Sequence, residues 1–220
     1  MLQDIEKDIR LKVMPLKHHK DVLILAKDLS LQYADAEKPL FENMRFQIKQ
    51  GDRVVLKGEN GCGKSSIIKA ILGKAAYEEN IPGCENLIVN GTLDVASGLK
   101  ISYINQDTSF LNGKLKDYCK VHNFDESLFL AILSQLDFSA VQFTKNMEEF
   151  SEGQKKKVLI ASSLITSAHL YIWDEPLNYI DVFSRVQIEK LILEFKPTML
   201  IVEHDVRFQE KVATDIVEFN

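Results

Sequence analysis

No stretch of this chain holds the about eighteen uncharged apolar residues that a membrane span needs, so any membrane it serves is reached through another chain. Cysteine is scarce. The three present, Cys62, Cys84 and Cys119, are an odd number without patterned spacing, which argues against a disulfide framework or a zinc site and fits a reducing cytoplasm. There is no basic excess either: the formal net charge is -5 and the pI about 5.6, so no global field gathers nucleic acid and any such contact must be local. The first ten residues alternate charge with apolar side chains and do not read as a signal peptide. What is present is 45% hydrophobic residues in 220, at a mean hydropathy of -0.10, enough for one full core with room for a small lobe.

The most informative stretch is Gly58-Glu59-Asn60-Gly61-Cys62-Gly63-Lys64-Ser65, set between a strand-like run at 53–57 and a helix-like run that opens at Ser66. It fits G-x-x-x-x-G-K-[ST]. Backbone N–H groups must come within hydrogen-bond reach of a polyphosphate, so glycines remove obstructing side chains and the following helix offers its positive end. Lys64 then reaches the β- and γ-phosphates, and the Ser65 hydroxyl holds Mg2+.

Ahead of the loop, residues 1–20 read as an amphipathic helical lead-in, with Leu2, Ile5, Ile9 and Val13 at helical spacing and a stop near Pro15. The basic cluster Lys17-His18-His19-Lys20 follows. With no partner close in sequence, its two histidines read as solvated surface in preference to metal ligands. From Asp21 the texture turns to short strands at 22–26, 29–33, 44–48 and 53–57, with Gln50-Gly51 as a hairpin turn before the last. This is the pattern of an antiparallel layer leading into a central strand. Tyr33, 25 residues before Gly58, is either a base-stacking aromatic or an ordinary strand residue.

Beyond the loop's helix, 77–83 reads as irregular, 85–95 as a strand pair broken at Asn90-Gly91, and 100–105 as a strand that delivers Gln106 at its end. A polar residue there is placed to meet a metal or an attacking water. Residues 111–150 show no strand pattern. Asp125 is an N-cap, and Leu128, Phe129, Ile132, Leu133 and Leu136 form a core-facing stripe at helical period, so a helical lobe is inserted here. Ser151-Glu152-Gly153-Gln154 then opens a helix running through Ile165, a second anion-binding N-terminus. The triplet Lys155-Lys156-Lys157 on that helix reads as solvated charge ahead of a nucleic-acid contact.

Two later strands end in chemistry. The apolar run 169–173 leads into Asp174-Glu175-Pro176; Asp174 can hold Mg2+ through water, and Glu175, on the other side of the strand end, can polarise a water for in-line attack. A helix through Phe195 follows, with Val182, Val186, Ile188, Leu191 and Ile192 supplying burial. The strand 198–202 ends at Glu203-His204-Asp205, whose histidine is either a γ-phosphate donor or structural. Residues 215–219 close the sheet.

Taken in order, Tyr33, the loop at 58–65, Gln106, Ser151 to Gln154, Asp174-Glu175, Asp181 and His204 resemble the nucleotide-binding domain of ABC ATPases over residues 21–220. The resemblance implies an α/β P-loop NTPase with a RecA-like core, an antiparallel β layer and a helical subdomain at about 111–150, residues 1–20 being the remnant of an interdomain linker. It implies ATP and Mg2+ as cofactors and Mg-dependent hydrolysis, weak in one domain alone. Tyr33 becomes the base-stacking residue and residues 58–65 with Ser66 the Walker A cradle. Ser65, Gln106 and Asp174 become the metal-holding set, with Glu175, His204 and Gln106 catalytic. Ser151, Gly153, Gln154 and Asp181 become the signature and D-loop residues that cover ATP bound to a second such domain.

Two departures from transporters stand out within that family. The signature reads Ser-Glu-Gly-Gln, and Pro176 is followed by Leu177-Asn178-Tyr179-Ile180-Asp181 where transporters carry Thr or Ser. With Phe183-Ser184-Arg185 and the basic lead-in, this is similar to the second domain of F-type ABC proteins of the ribosome-protecting, antibiotic-resistance branch. The expected partners are a first ABC domain, or a second copy, and the ribosome through a linker. The expected location is the cytoplasm, with no direct membrane insertion. The alternative is the energy-coupling subunit of an ABC transporter.

Overall fold

The computed structural model describes residues 15–75 and 86–219. Five parallel strands form its centre: β3 (Arg53–Lys57), β5 (Ile101–Ile104), β6 (Leu170–Asp174), β7 (Met199–Val202) and β8 (Asp215–Glu218), in the order β5-β6-β7-β3-β8. Every residue of β6 and β7 is buried, as expected of parallel strands covered on both faces. The period-two alternation divides their side chains between two cores. Val54, Leu56, Leu170, Ile172, Leu200 and Val202 face helix α1 (Lys64–Lys74) and the antiparallel layer. Val55, Tyr171, Trp173, Met199 and Ile201 face α4 (Glu152–Ile165), α5 (Val182–Phe195) and the helical lobe of α2 (Leu115–Val121) and α3 (Glu126–Gln135). Because the strands run parallel, their carboxyl ends gather on one rim, which therefore receives Gly58, Gln106, Asp174 and Glu203.

The antiparallel layer holds β1 (Val22–Tyr33), β2 (Phe41–Lys49) and β4 (Leu87–Val95) in the order β2-β1-β4. Residues 22–33 form one strand, not two; the interruption at 27–28 is a bulge with Asp28 at φ 49. The strand pair expected at 85–95 is likewise one strand. Gly91 sits against the bulge, where a Cβ would lie 2.1 Å from the Asp28 carbonyl oxygen, so the glycine marks a close approach and not a turn. Gln50-Gly51 is no hairpin, since β2 and β3 belong to different sheets.

Gln50 instead clasps the incoming chain: its Oε1 accepts from His18 N, and its Nε2 donates to the carbonyls of His18 and Lys20. His18 is buried, its Nδ1 accepting from Lys20 N and its Nε2 lying 3.0 Å from Ser97 O, with its ring against His19 and His169. The solvated reading of His18 is corrected by that packing. The helical lead-in at 1–14, the irregular segment at 77–83 and Cys84 lie outside the described residues. In the lobe, Asp125 caps α3 through Leu128 N and the stripe Leu128, Phe129, Ile132, Leu133 and Leu136 is buried. Val182 departs from expectation: it opens α5 on the solvent side, 77% exposed. Among the described residues no helix is long and apolar enough to cross a membrane.

Candidate nucleotide site

β3 delivers the chain into the loop at Gly58, and α1 starts one residue after Gly63. Gly63 caps that helix at φ 109, a backbone conformation that side chains resist. The loop is therefore pinned at the point where the first N–H groups of α1 point outward. Lys64, only 6% exposed, folds back over the loop and donates to Gly58 O at 2.8 Å and Glu59 O at 2.7 Å, with Cys62 Sγ at 3.9 Å. Glu59, Asn60 and Gly61 form its exposed tip. Tyr33, at the end of β1, shares a hydrogen bond with Ser66 Oγ at 3.1 Å, which fixes its ring beside the start of α1.

The Ser65 hydroxyl donates to Asp174 Oδ2 at 3.0 Å. Asp174 is 4% exposed and its Oδ1 is buried without a hydrogen-bond partner. Burial raises its pKa; the Ser65 hydroxyl, the nearby Gln106 amide and the Lys156 ammonium work against that, while Glu175 adds to it. A buried carboxylate oxygen left unpaired is costly in a folded protein. Ser65 Oγ, Asp174 and the Gln106 side chain make a hard-oxygen donor set that fits a hard divalent cation such as Mg2+.

Glu175 adopts φ 51, an uncommon left-handed geometry for a non-glycine residue. Its N–H is held by Val202 O at 2.9 Å, and its carboxylate accepts from Asn178 Nδ2 at 2.8 Å while Oε1 stands 3.8 Å from His204 Nε2. The strained turn thus aims Glu175 at the same rim as His204.

Four further residues complete this rim without having been assigned a role from sequence. Glu203 is buried; it accepts from Leu177 N, His204 N and Asp205 N and so ties the turn after β6 to the turn after β7. Arg185 donates to the carbonyls of Ile180 and Leu177 and pairs with Asp205 at 2.7 Å. The other two are Lys156 and Lys157. The solvated reading of the lysine triplet is corrected here: Lys156 and Lys157 are buried, Lys157 pairs with Asp181 at 2.7 Å, and Lys155 reaches back to Glu152 at 3.0 Å. The clue available in sequence was position, since a glutamate directly after an all-apolar strand and lysines leading into an apolar helix have little solvent to reach.

The second helix terminus is built differently. Ser151 and Gln154 form a reciprocal capping box at α4, so both side chains are used within the helix. Glu152 turns aside, its carboxylate accepting from Thr108 Oγ1 at 2.7 Å and from Lys155, which together hold it below the usual carboxylate range. A Cβ on Gly153 would lie 2.3 Å from Tyr179 O. Asp181 caps α5 through Ser184; although burial opposes it, the bonds from Lys157 and Ser184 keep its carboxyl strongly acidic. No hydrogen bond joins Ser151, Gly153, Gln154 or Asp181 to the loop at 58–65 among the described residues. The structure therefore gathers the expected residues into two groups: Tyr33, the loop, Ser66, Gln106, Asp174, Glu175 and His204 in one, and Ser151, Gly153, Gln154 and Asp181 in the other.

Residues 41–178, more than half of the chain, match the family model described as ABC transporter. The chain belongs to the ABC ATP-binding family. A structure titled as the ATP-binding subunit of an ABC transporter superposes with a TM-score of 0.67 at 22% identity, covering 90% of this chain and 86% of that one, which supports the fold. ATP-binding protein Uup of Buchnera aphidicola subsp. Acyrthosiphon pisum is 30% identical over 217 residues, 95% of this chain and 34% of that protein. Ribosome protection protein VmlR of Bacillus subtilis is 29% identical over 186 residues, 82% of this chain and 31% of its own length. The lacticin-481/lactococcin-DR transport/processing ATP-binding protein lcnDR3 of Lactococcus lactis is 31% identical over 202 residues, 86% and 28%. The chain thus spans about a third of the length of the curated relatives it matches.

Proposed function

We propose that this chain is the ATP-binding and ATP-hydrolysing domain of a cytoplasmic F-type ABC protein that acts on the ribosome and confers antibiotic resistance by ribosome protection. The observation that carries the hydrolytic part is the buried, unpartnered Asp174 Oδ1 beside the Ser65 hydroxyl at the mouth of the phosphate loop. Tyr33 stacks on the base, and the loop N–H groups with Lys64 hold the phosphates. Ser65, Asp174 and Gln106 would hold Mg2+, which would offset phosphate charge. Glu175 orients the attacking water and takes up its proton, while His204 donates towards the γ-phosphate. Ser151 and Gly153 cover ATP held by a second ABC domain, in the same polypeptide or a second copy, so one domain alone turns over slowly.

The ribosomal part is supported by the likeness to VmlR and by Leu177 and Asn178 after Pro176. Asn178 donates to the Glu175 carboxylate, so this departure from the transporter pattern lies beside the residue proposed to orient the attacking water. The likeness to lcnDR3 favours the second reading, an energy-coupling domain of a transporter. The full-length polypeptide carrying Glu175→Gln, with ATP and Mg2+, separates the two. Slowed hydrolysis traps the closed state, so the protein pellets with ribosomes; recovery in membranes and absence from the ribosome pellet would overturn the ribosomal assignment.

A further inference from the structure

Of the three lysines that open α4, Lys155 and Lys157 are explained by their carboxylate partners, and Lys156 is not. Its side chain runs into the core, with 3% of the residue exposed, and its ammonium donates to Asn105 O at 3.1 Å, the carbonyl immediately before Gln106. Burial lowers its pKa, and the carboxylates of Asp174, Glu175, Glu152 and Asp107 raise it again. An ammonium taken out of water is expensive and persists only where hydrogen bonds and opposite charges hold it. Methionine would fill nearly the same volume without that cost. What a cation adds at this position is a grip on the Asn105 carbonyl and a positive charge between the end of β6 and the start of α4. Its charged neighbours include Asp174 and Glu175 of one group of site residues and Glu152 beside the other.

We propose that Lys156 is a positioning residue of the ATP site: by holding the Asn105 carbonyl it fixes the direction in which Gln106 leaves β5 towards Asp174. This rests on the reading of that site as the ATP and Mg2+ site. It acts through Gln106 and touches neither nucleotide nor metal itself. The arrangement is that of an outer-shell group orienting a metal ligand, whose loss costs about 10–100-fold in metal affinity.

The test uses the whole 220-residue chain as wild type, Lys156→Met, Lys156→Arg, Gln106→Ala and the Lys156→Met/Gln106→Ala double variant. A fluorescent ATP analogue is titrated with and without Mg2+, and melting is followed without nucleotide. In Lys156→Met the Mg2+ concentration needed to tighten analogue binding should rise about 10–100-fold, with metal-free affinity within about threefold of wild type. Lys156→Arg, which can still donate to Asn105, should restore the wild-type Mg2+ dependence. The double variant should be no worse than Gln106→Ala alone, because the effect runs through that side chain. Unchanged Mg2+ dependence in a folded Lys156→Met, or losses that add in the double variant, overturns the proposal. A lowered Tm with normal Mg2+ dependence does the same, by showing a role in packing alone. If Lys156→Met does not fold, Lys156→Leu, which likewise cannot donate to the Asn105 carbonyl, carries the same expectations. Wild-type chain that binds no analogue would instead overturn the ATP-site reading beneath it.

Discussion

Two helix N-termini of this molecule carry similar sequence signals and do different work. At α1 the groups meet in a common space: Lys64 lies over the loop carbonyls, Ser65 reaches Asp174, and one carboxylate oxygen of Asp174 has no partner. At α4 nearly every side chain is used within its own domain, in the Ser151–Gln154 capping box, the Glu152–Thr108 bond and the contact of Gly153 with the Tyr179 carbonyl. What α4 leaves available is backbone and an exposed serine on a stiffened edge. The difference teaches that a Ser/Gly-rich helix start is defined by where its polar side chains are spent. Under the proposed function, the first terminus is half of a binding site and the second is the face that would cover another domain's ATP.

The sharpest way to break that contrast is Lys64→Ala. If the α1 terminus binds phosphate, removing a charge-assisted bond costs about 1.5–3 kcal/mol, roughly 10- to 150-fold in Kd for ATP. A cooperative melt should remain, because the loop faces ligand more than core. Unchanged ATP affinity by calorimetry would mean that α1 is no more a site than α4. Next comes Gly153→Ala. With the new Cβ 2.3 Å from Tyr179 O, the backbone must shift, an overpacking cost of about 1–3 kcal/mol, or a fall of roughly 2–12 °C in Tm. An unaltered Tm would show that the second terminus is less tightly built than the contact implies.

The smallest effect is that of Asp181→Asn, read through pH. Asp181 is more acidic in the fold than the about 3.9 of an unfolded aspartate, so as pH falls the unfolded chain binds its proton first. Its stabilisation is therefore complete above roughly pH 5 and is lost progressively below about pH 4. With the Asp181 side chain 47% exposed, the pair with Lys157 contributes at most about 1 kcal/mol. The asparagine variant should lose Tm less steeply than wild type between about pH 5 and about pH 3. Identical slopes would remove the Lys157–Asp181 link from the account of the α4 edge.

Much of the site was legible because its chemistry is written in contiguous residues. The loop at 58–65 and the Asp174-Glu175 pair each follow an apolar strand, and strands of a parallel sheet can only deliver their ends to one rim. What failed to be legible was side-chain direction. The lysine triplet read as solvated because charge is usually solvated, yet two of its members enter the core where carboxylates and carbonyls from β5, β6 and the start of α5 await them. Gln50-Gly51 and Asn90-Gly91 read as turns because glycine usually marks one. Gln50-Gly51 is a turn, with Asp52 N donating to Lys49 O, but it crosses between sheets instead of closing a hairpin, and Asn90-Gly91 is a close approach to a bulge.

Local periodicity and loop chemistry were therefore enough to establish an α/β phosphate-binding domain, its strand-end residues and the helical lobe, since each depends on neighbours a few positions apart. Which polar groups stand free and which are consumed depends on contacts between residues far apart in the chain. Ser65 with Asp174, Lys156 with Asn105 and Gly153 with Tyr179 are set by how the helices pack across the sheet, and only the folded molecule brings them within bonding distance.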